Sequence, residues 1–575
     1  MAGWSGRAIV VFTCAGVAFA CGSSSSTSGF DAGPGTTGSG GGSGGGGGDD
    51  GPFGGGDGGG GSGGGIFGDG SRSDTGTIAA GDPVTCAQAE ASHSYIGCDY
   101  WPTVLDNAVW SIFDYAVIVA NAGASTADVT VTGPGAVNQT ATVDPGGLTK
   151  IYLPWVASLK GGDSDNCGTP PDETGSVLAK GAAYHLVASV PVTVYQFNAL
   201  EYKGAGGPAG KSWAQCPGDT RCRDRNSSNN GGTLGCYSFS NDASLLLPTT
   251  AMTGNYRVVG YEDAEGLGAY AAITATQDDT AVTVKASATA HIVAGTGIAD
   301  TPPGGRLTLT MNAGDVAELF GDGSSAADDL SGSVVSATNP VEVFTGSPCT
   351  SIPDSIMNTC DHLEEVNFPA ETLGKDYVVT VPTGPYGTPI GHLVRIYGDF
   401  DGTMLSYEPA APAGCPATLD AGQVVECGIV TSDFEVKGSQ PFSVGSFMES
   451  GTIVDPKNGE GDPSESFSTA VEQYRTKYVF LAPEDYDFNF ADIAAPTGAV
   501  LSLDGAAVTA TATPLGGTGY EVFRVALGAG QGGAHVLTAT KAVGLQVLGY
   551  GSYTSYQYPG GLDLQQIAPP PAQVN

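Results

Sequence analysis

Positive charge is scarce in this sequence, which has 21 lysines and arginines against 59 aspartates and glutamates and a net charge of −38 at pH 7. So few cations cannot neutralise a phosphate backbone or an anionic lipid surface, which excludes nucleic-acid binding and binding to anionic membranes. The acidity itself has two interpretations. It can attract a cation or a cationic partner, or it can keep an exported protein soluble.

Long hydrophobic runs are also lacking. The run near the N-terminus extends only from Ile9 to Ala20, follows Arg7 and ends in small residues. It is too short to span a bilayer, since a transmembrane helix needs about 20 apolar residues. The pattern predicts a signal peptide over residues 1–20, and therefore export.

Two cleavage patterns meet at Cys21. Ala18-Phe19-Ala20 fits ordinary signal peptidase, which would release a secreted soluble protein. Lipidation of Cys21 would instead anchor a bacterial lipoprotein in the cell envelope, where we expect it in the outer membrane and facing outward. Of 12 cysteines, Cys14 leaves with the signal peptide, and lipidation of Cys21 leaves an even number for disulfides. Cysteine parity therefore favours the anchor.

Residues 21–82 form the second segment, and glycine dominates it, with serine, threonine and aspartate between the glycines. Without apolar periodicity such a stretch is disordered, and a coil of this length spans roughly 45 Å. We therefore expect a tether that lifts the folded part away from a surface. At the other end, residues 566–575 are a proline-rich tail without a second anchor.

Catalytic motifs are missing. Histidine occurs six times, and no serine or cysteine is paired with one by a recognisable motif. No two C-x2-C pairs are present for zinc. The sequence therefore predicts a protein that is not an enzyme, with no catalytic residue and no cofactor.

Two features leave alternatives open. Asp361, His362 and Glu365 have the right chemistry for a metal or a general base, which would suit a secreted metal-assisted hydrolase. A turn with a hydrogen-bonded histidine explains them equally. Gly398–Gly402 and Gly321–Gly323 resemble parts of calcium loops but lack the full ligand spacing, and Asp-Gly hairpin turns explain both.

Glycine, threonine, serine, alanine and valine abound after the tether, a composition that favours an all-β protein. Four segments share one ending, two alternating strands around a tight turn at Pro191, Pro340, Pro441 and Ala542. The last two intervals are both 101 residues and the first is 149. Each repeat opens on a tyrosine that begins a strand, at Tyr115, Tyr256, Tyr377 and Tyr478.

We therefore predict four β-sandwich-like repeats at about 109–200, 246–347, 366–450 and 473–558, within a folded region over 83–565. A Cys-rich insertion at 200–245, after the first repeat, accounts for the longer interval. The alternative is that the repeats close into a ring as propeller blades, which would bury their edges. The sequence does not choose between these arrangements.

The remaining cysteines predict disulfides. Three pairs are close in sequence: Cys86 with Cys98, Cys349 with Cys360, and Cys415 with Cys427. By elimination Cys167 pairs with one of Cys216, Cys222 and Cys236, and the other two pair together.

Loops that follow the shared strands are the candidate binding site. In a closed ring they would converge on one face, where such scaffolds usually bind ligands. The candidate binding residues are Gln196, Asn198, Thr345, Ser347, Ser446, Met448, Tyr550, Tyr553 and Tyr556. Tyrosines there suit stacking on a sugar or a protein partner, although they could equally fill a terminal strand pair.

Several of these elements together resemble the IgGFc-binding protein N-terminal domain. They are Leu247-Pro248-Thr249 with Tyr256, 275–284, 339–344, 360–365 and 374–378, and the similarity is clearest from about Leu246 to Ser450. The family is named for binding immunoglobulin Fc, so the resemblance implies binding and carries over no catalytic residue. It fits an extracellular protein or glycan as the partner of a surface-displayed adhesion module. A purely structural envelope protein and the hydrolase are the alternatives.

Overall fold

The computed structural model describes residues 81–171, 175–222, 232–263, 265–323, 329–355, 359–528, 530 and 533–571. The chain divides into two units, residues 1–76 and residues 77–575, and all of the described residues belong to the second. The predicted signal peptide, Cys21 and almost all of the predicted tether lie outside the described residues, as do the last four residues of the predicted tail.

The described residues form four repeats of β-strands, and all pairings between named strands are antiparallel. Repeat 1 has β1 (Gly97–Tyr100), β2 (Tyr115–Ala120), β3 (Ala127–Gly133), β4 (Val137–Val143), β5 (Leu148–Leu153), β6 (Val177–Ala179), β7 (His185–Phe197) and β8 (Ala243–Leu245). Repeat 2 has β9 (Asn255–Arg257), β10 (Tyr270–Ala275), β11 (Thr280–Lys285), β12 (Arg306–Met311), β13 (Val316–Phe320), β14 (Val334–Ala337), β15 (Val341–Thr350) and β16 (Asp361–Val366).

The second half of the chain continues the pattern. Repeat 3 has β17 (Asp376–Val379), β18 (His392–Gly398), β19 (Thr403–Glu408), β20 (Thr418–Leu419), β21 (Val424–Val430), β22 (Phe434–Gly438), β23 (Phe442–Met448) and β24 (Glu465–Phe467). Repeat 4 has β25 (Arg475–Leu481), β26 (Phe488–Pro496), β27 (Leu501–Leu503), β28 (Ala506–Ala507), β29 (Thr513–Leu515), β30 (Tyr520–Ala526), β31 (Ala534–Gly551) and β32 (Thr554–Pro559).

Helices are short and peripheral to this plan. They are α1 (Cys86–Ser92), α2 (Ala157–Lys160) and α3 (Gly451–Val454), with 3-10 turns at Pro134–Ala136, Pro217–Asp219, Ala370–Thr372 and Val471–Gln473. None of the helices in the described part of the chain has the length and apolar character that crossing a membrane requires.

Each repeat consists of two sheets with one strand order. In repeat 2 the peripheral sheet runs β12-β11-β14-β9 and the axial sheet runs β13-β10-β15-β16, with β6 of repeat 1 added beside β13. One hydrophobic core joins the two sheets, because it contains Val282 and Val335 of the peripheral sheet and Ile273 and Val343 of the axial sheet. The repeat is therefore a β-sandwich, as predicted.

The shared sequence ending lies where the chain passes from one sheet to the other. In repeats 1 and 4 a single long strand, β7 or β31, pairs in both sheets, whereas in repeats 2 and 3 the turn at Pro340 or Pro441 divides it. Proline lacks an N–H, so it fits this corner, where the ladder changes partners.

A buried tyrosine marks the start of every repeat. Each tyrosine hydroxyl accepts a hydrogen bond from the N–H three residues earlier and donates to the carbonyl just after the corner. The hydroxyls of Tyr100, Tyr256, Tyr377 and Tyr478 donate to the backbone carbonyls of Val192, Val341, Phe442 and Val543, respectively. The prediction of Tyr115 for repeat 1 was therefore wrong, because Tyr115 lies in the axial strand β2 and Tyr100 takes the equivalent place.

The four sandwiches close into a ring through their last strands. Strand β16 contacts β8 and β24, and β32 contacts β24 and β8. The two predicted arrangements are thus both present, since sandwiches are the repeats and a propeller-like ring is their assembly. Ring closure also explains the burial pattern, because β15, β16 and β23 are buried at every residue while the peripheral β3 alternates buried and exposed positions.

The segments before β1 and after β32 seal the ring between repeats 4 and 1. Leu564 N–H donates to His93 O at 2.8 Å and Tyr95 N–H donates to Leu562 O at 3.2 Å. Around them, Tyr195 of repeat 1 packs on Tyr558 of repeat 4, with ring centroids 4.9 Å apart. The first residues of the predicted tail are also attached, since Ile567 and Ala568 donate N–H groups to Glu371 O.

Repeats 1, 2 and 3 each extend one strand beyond their predicted limits, to β8, β16 and β24, whereas β32 lies almost entirely within the predicted repeat 4. The Cys-rich segment therefore lies inside repeat 1, between β7 and β8, and not after it. The described residues contain five disulfides, including the three predicted local pairs. The pairing left open by the sequence is Cys167 with Cys222 and Cys216 with Cys236.

Candidate functional site at the end of the ring axis

In repeats 1, 2 and 3 the last strand, or the residues just before it, brings carboxyl groups to the ring axis. Six acidic side chains there are at most 2% exposed: Asp242, Asp361, Glu364, Glu365, Asp462 and Glu465. Buried carboxyls need hydrogen-bond donors, because leaving them unpaired away from water is costly. For Asp242, Asp361 and Glu364, donors come from neighbouring repeats.

Asp242 and Asp361 are the two best-connected carboxyls. Asp242 of repeat 1 accepts the N–H of Glu364 in repeat 2 at 3.2 Å and that of Glu465 in repeat 3 at 2.9 Å. Asp361 of repeat 2 accepts the N–H of Asn241 in repeat 1 at 2.6 Å. It also accepts the Thr554 hydroxyl of repeat 4 at 3.0 Å. These two side chains therefore join all four repeats across the axis.

Burial raises the pKa of several axial carboxyls. The pKa values of Asp242, Glu365 and Glu465 are raised well above their usual range, chiefly by loss of hydration. The pKa of Asp361 is also raised by burial and then by the nearby charge of Asp462. Burial raises the pKa of Asp462 to about 7. The axis is thus a site that favours protonated carboxyls near neutral pH.

A cavity of about 500 Å³ opens at one end of this axis. Each repeat contributes to its wall a residue that precedes its last strand, namely Ser240, Cys360, Asp462 and Tyr553. We call it the axial cavity. Its volume lies within the range of small-molecule and side-chain binding pockets, about 300–1,000 Å³. By contrast, a void beside Asp492 and Gln557 measures about 20 Å³, room for a single water.

Four aromatic side chains contribute to the wall of the axial cavity. Trp110, Tyr237, Phe239 and Tyr553 line it, and the Phe239 ring centroid lies 5.7 Å from that of Tyr237 and 6.3 Å from that of Tyr553. Tyr553 is 36% exposed. Aromatic surface with nearby hydroxyls, such as those of Ser238 and Ser240, suits both a sugar ring and a protein side chain.

Backbone conformation at the rim is unusual. Phe239 has φ 54° and Tyr553 has φ 51°, in the left-handed region that residues other than glycine seldom occupy. Tyr553 is held there by its N–H, which donates to Gly459 O at 2.6 Å. Gly459 also has positive φ, and a Cβ on it would lie 2.4 Å from the Tyr553 ring. Such strain persists only where the surroundings enforce it, and it is concentrated at functional sites.

The nine predicted binding residues were expected in loops that converge on one face, and the structure does not place them together there. All but Asn198 and Tyr553 lie within strands, and all but Tyr553 are buried. Gln196, Thr345 and Ser446 hold neighbouring segments by hydrogen bonds, for example from Gln196 Nε2 to Thr103 O at 3.0 Å. Asn198, Ser347, Met448, Tyr550 and Tyr556 are likewise buried, so Tyr553 alone of the nine lines the axial cavity.

The candidate metal residues Asp361, His362 and Glu365 all lie on β16, and each is engaged in other contacts. His362 Nε2 lies 3.4 Å from Glu364 Oε2, and Glu365 Oε1 accepts the N–H of Val366. All three are completely buried. Among the described residues, no group of three histidine, cysteine, aspartate or glutamate side chains is arranged to hold a metal ion.

The two calcium-like segments are also engaged in other contacts. Asp399 forms an ion pair with Arg257, with Oδ1 and Nε 3.1 Å apart, and Asp401 accepts the N–H of Ala421. Asp322 Oδ2 lies 3.1 Å from His291 Nδ1. Hairpin turns and ion pairs therefore account for these aspartates.

Several residues of the axial cavity were not predicted, notably Trp110, Tyr237, Phe239 and Asp462. Two of them are in the Cys-rich segment, where no repeat alignment could place them. A usable signal did exist in the sequence. Once the last strand of each repeat is recognised, the four repeats can be aligned on it, and each has a residue just before it that lines the cavity. Strands β16 and β24 were missed because they carry buried polar residues in place of alternating apolar ones.

Comparison with known proteins gives two sequence matches. A family model described as IgGFc binding protein matches residues 242–549, which extend from just before β8 through most of β31. The human protein named IgGFc-binding protein is 28% identical over 264 residues. That match covers 44% of this chain but only 4% of the human protein.

A comparison of folds gives one match that carries no weight. It is a crystal structure titled as a tetra-tandem repeat in the extending region of a large adhesion protein. The match covers 81% of this chain and 100% of the other, at 14% identity and a TM-score of 0.08.

Proposed function

This chain belongs to the IgGFc-binding protein family, and on that premise we propose that it is a binding module which captures an extracellular protein or glycan in the axial cavity. The observation that carries the proposal is the cavity itself. It is aromatic, partly exposed, large enough for a sugar or a side chain, and built by all four repeats.

Two disulfides support the rigidity that such a site needs. Cys349–Cys360 and Cys167–Cys222 both contribute cysteines to the cavity wall. A wall held in this way loses little conformational entropy when a partner binds, which favours affinity. The human relative's name refers to immunoglobulin Fc, so Fc is the first protein ligand to test.

Replacing Tyr553 tests the cavity. The purified chain is screened against immunoglobulin Fc, mucin and a glycan array, and Tyr553→Ala is compared with the parent on any ligand found. We expect at least about a tenfold loss of affinity, because an exposed aromatic in a pocket is a typical hot spot.

Tyr386→Ala is the matched control, since Tyr386 is 60% exposed and does not line the axial cavity. It should bind as the parent does. Equal affinities for the parent and Tyr553→Ala would contradict binding in the axial cavity, and the absence of any extracellular ligand would contradict the proposed function.

We further propose that the module is displayed on a cell envelope by lipidation of Cys21 and the glycine-rich tether. Cysteine parity supports this, because all ten cysteines from Cys86 to Cys427 are paired in disulfides. The parent should fractionate with membranes and dissolve in detergent, whereas Cys21→Ser should be found in the soluble fraction. Identical fractionation of the two proteins would contradict the anchor.

A further inference from the structure

A second cluster of reactive groups lies in repeat 1, and none of its members lines the axial cavity. Asp114 precedes β2, Glu201 follows β7, and Lys211 lies in the Cys-rich segment. Lys211 Nζ forms an ion pair with Asp114 Oδ2. The Glu201 carboxyl adjoins this pair, because its Oε2 accepts the Asp114 N–H at 3.1 Å.

One glycine shows how closely the three side chains converge. A Cβ built on Gly207 would lie 2.5 Å from Lys211 Cδ, 3.0 Å from Glu201 Oε1 and 3.2 Å from Asp114 Oδ2. The amine, the aspartate and the glutamate therefore face one small space. Gly207 also has φ +84°, so glycine suits this position in both conformation and size.

Water has little access to this space. The Lys211 side chain is 10% exposed, the Asp114 side chain 23% and the Glu201 residue 1%. Lys211 Nζ lies 4.2 Å from the ring centroid of Trp213, which packs on Phe113 at 5.0 Å between centroids. Glu201 Oε1 is buried without a hydrogen-bond partner, and burial raises the pKa of Glu201 to about 8. A buried carboxyl of this kind can exchange a proton near neutral pH.

We propose that Lys211 and Asp114 join in an intramolecular isopeptide bond, with Glu201 as the proton-transfer catalyst. The bond would attach the Cys-rich segment to the body of repeat 1, next to its two disulfides. It requires only the three side chains, and no oxidant, metal or cofactor.

The chemistry balances as a condensation. The condensation requires a neutral amine and a neutral acid, so one ammonium proton of Lys211 passes to the Asp114 carboxylate. Nζ then attacks the Asp114 carbonyl carbon. Glu201 accepts a proton from the nitrogen through one oxygen and donates its own to the departing hydroxyl, which leaves as water. An N–C bond forms, a C–O bond breaks, and Glu201 is regenerated.

Mass spectrometry of the full-length chain tests the bond. After reduction, alkylation and proteolysis, the peptides that contain Asp114 and Lys211 should appear as one branched species. Its mass should be about 18 Da, one water, below the sum of the two peptides. Separate linear peptides in the parent protein would overturn the proposal.

Variants separate the bond from a simple ion pair. Lys211→Arg keeps the charge but has no nucleophilic amine, so it should give linear peptides while still folding. Glu201→Gln should also lack the branch, and branching at the parental level in this variant would refute the role of Glu201. Lys150→Arg is the matched control, because Lys150 forms an ion pair with Asp485, which lies near Glu201. The branched peptide that joins Asp114 and Lys211 should persist in this variant. A branch mapped to Lys150 and Asp485 would overturn the assignment.

Discussion

Raising the pH from about 5 to about 8 is expected to destabilise this protein, by roughly 5 kcal/mol in unfolding free energy. The cause is the set of buried carboxyls whose pKa is raised in the folded state. Burial raises the pKa of Asp462 to about 7 and that of Asp492 to about 6, and those of Asp242 and Glu465 are raised as well.

The direction follows from proton uptake. A carboxyl with a raised folded pKa holds its proton in the fold where the unfolded chain has lost it, so its stabilisation is complete below about pH 4 and is lost as the pH rises through the folded value. Other groups act in the opposite direction, and His392 does so within the lower part of this pH range. Burial lowers the pKa of His392 to about 3, so its contribution is lost as the pH falls below about 6.5. The pKa values of Asp99 and Asp315 are lowered in the fold, so their contributions to stability are lost as the pH falls below about 4.

Differential scanning calorimetry across this pH range measures the effect. For a chain of this size the expected loss corresponds to a fall of about 5 °C in melting temperature. Adding salt distinguishes the origin, because about 0.5 M salt screens repulsion between surface carboxylates but reaches buried groups poorly. A melting temperature that rises between pH 5 and pH 8, or a fall abolished by salt, would contradict buried carboxyls as the cause.

Replacing Asp361 by alanine is the substitution with the largest expected effect. Its carboxyl accepts the N–H groups of Asn241, His362 and Ser555 and the hydroxyl of Thr554. Since each buried donor left unpaired costs about 1–3 kcal/mol, Asp361→Ala should lose about 4–8 kcal/mol or fail to fold.

Asp361→Asn is the matched control, because it keeps the shape and one oxygen acceptor. It should lose less, about 2 kcal/mol. Thermal unfolding followed by circular dichroism compares the two variants with the parent. If alanine and asparagine have equal effects, or if both leave the melting temperature unchanged, Asp361 does not hold the repeats together.

Much of the fold could be predicted from local patterns. The corner at Pro191, Pro340, Pro441 and Ala542 recurs at regular spacing because each repeat passes between its two sheets there, and the spacing alone indicated four repeats. Tyr256, Tyr377 and Tyr478 were recognised for the same reason. Tyr100 was missed because a longer connection separates it from the next strand. Tyr115 was chosen in its place because it begins a more conspicuous apolar strand.

The last strands and the axial cavity could not be predicted in this way. Strand β16 begins Asp361-His362 and carries Glu364 and Glu365, a pattern that is typical of an exposed turn. Its carboxyls can be buried because repeats 1 and 4 supply hydrogen-bond donors, and that depends on ring closure, a long-range property. For the same reason the candidate binding residues on β7, β15 and β23 were expected in loops, although the axial sheets extend through them.

Hydrogen exchange of the chain with a bound extracellular ligand is the most direct test of the proposed binding site. The ligand is the strongest binder from the screen of immunoglobulin Fc, mucin and glycans, and exchange is followed in peptides from all four repeats. We predict that protection on binding appears in the segments around Phe239, Cys360 and Tyr553, which surround the axial cavity. Protection confined to the peripheral sheets, with these three segments unchanged, would contradict the proposal that the ring presents its axis as a binding site.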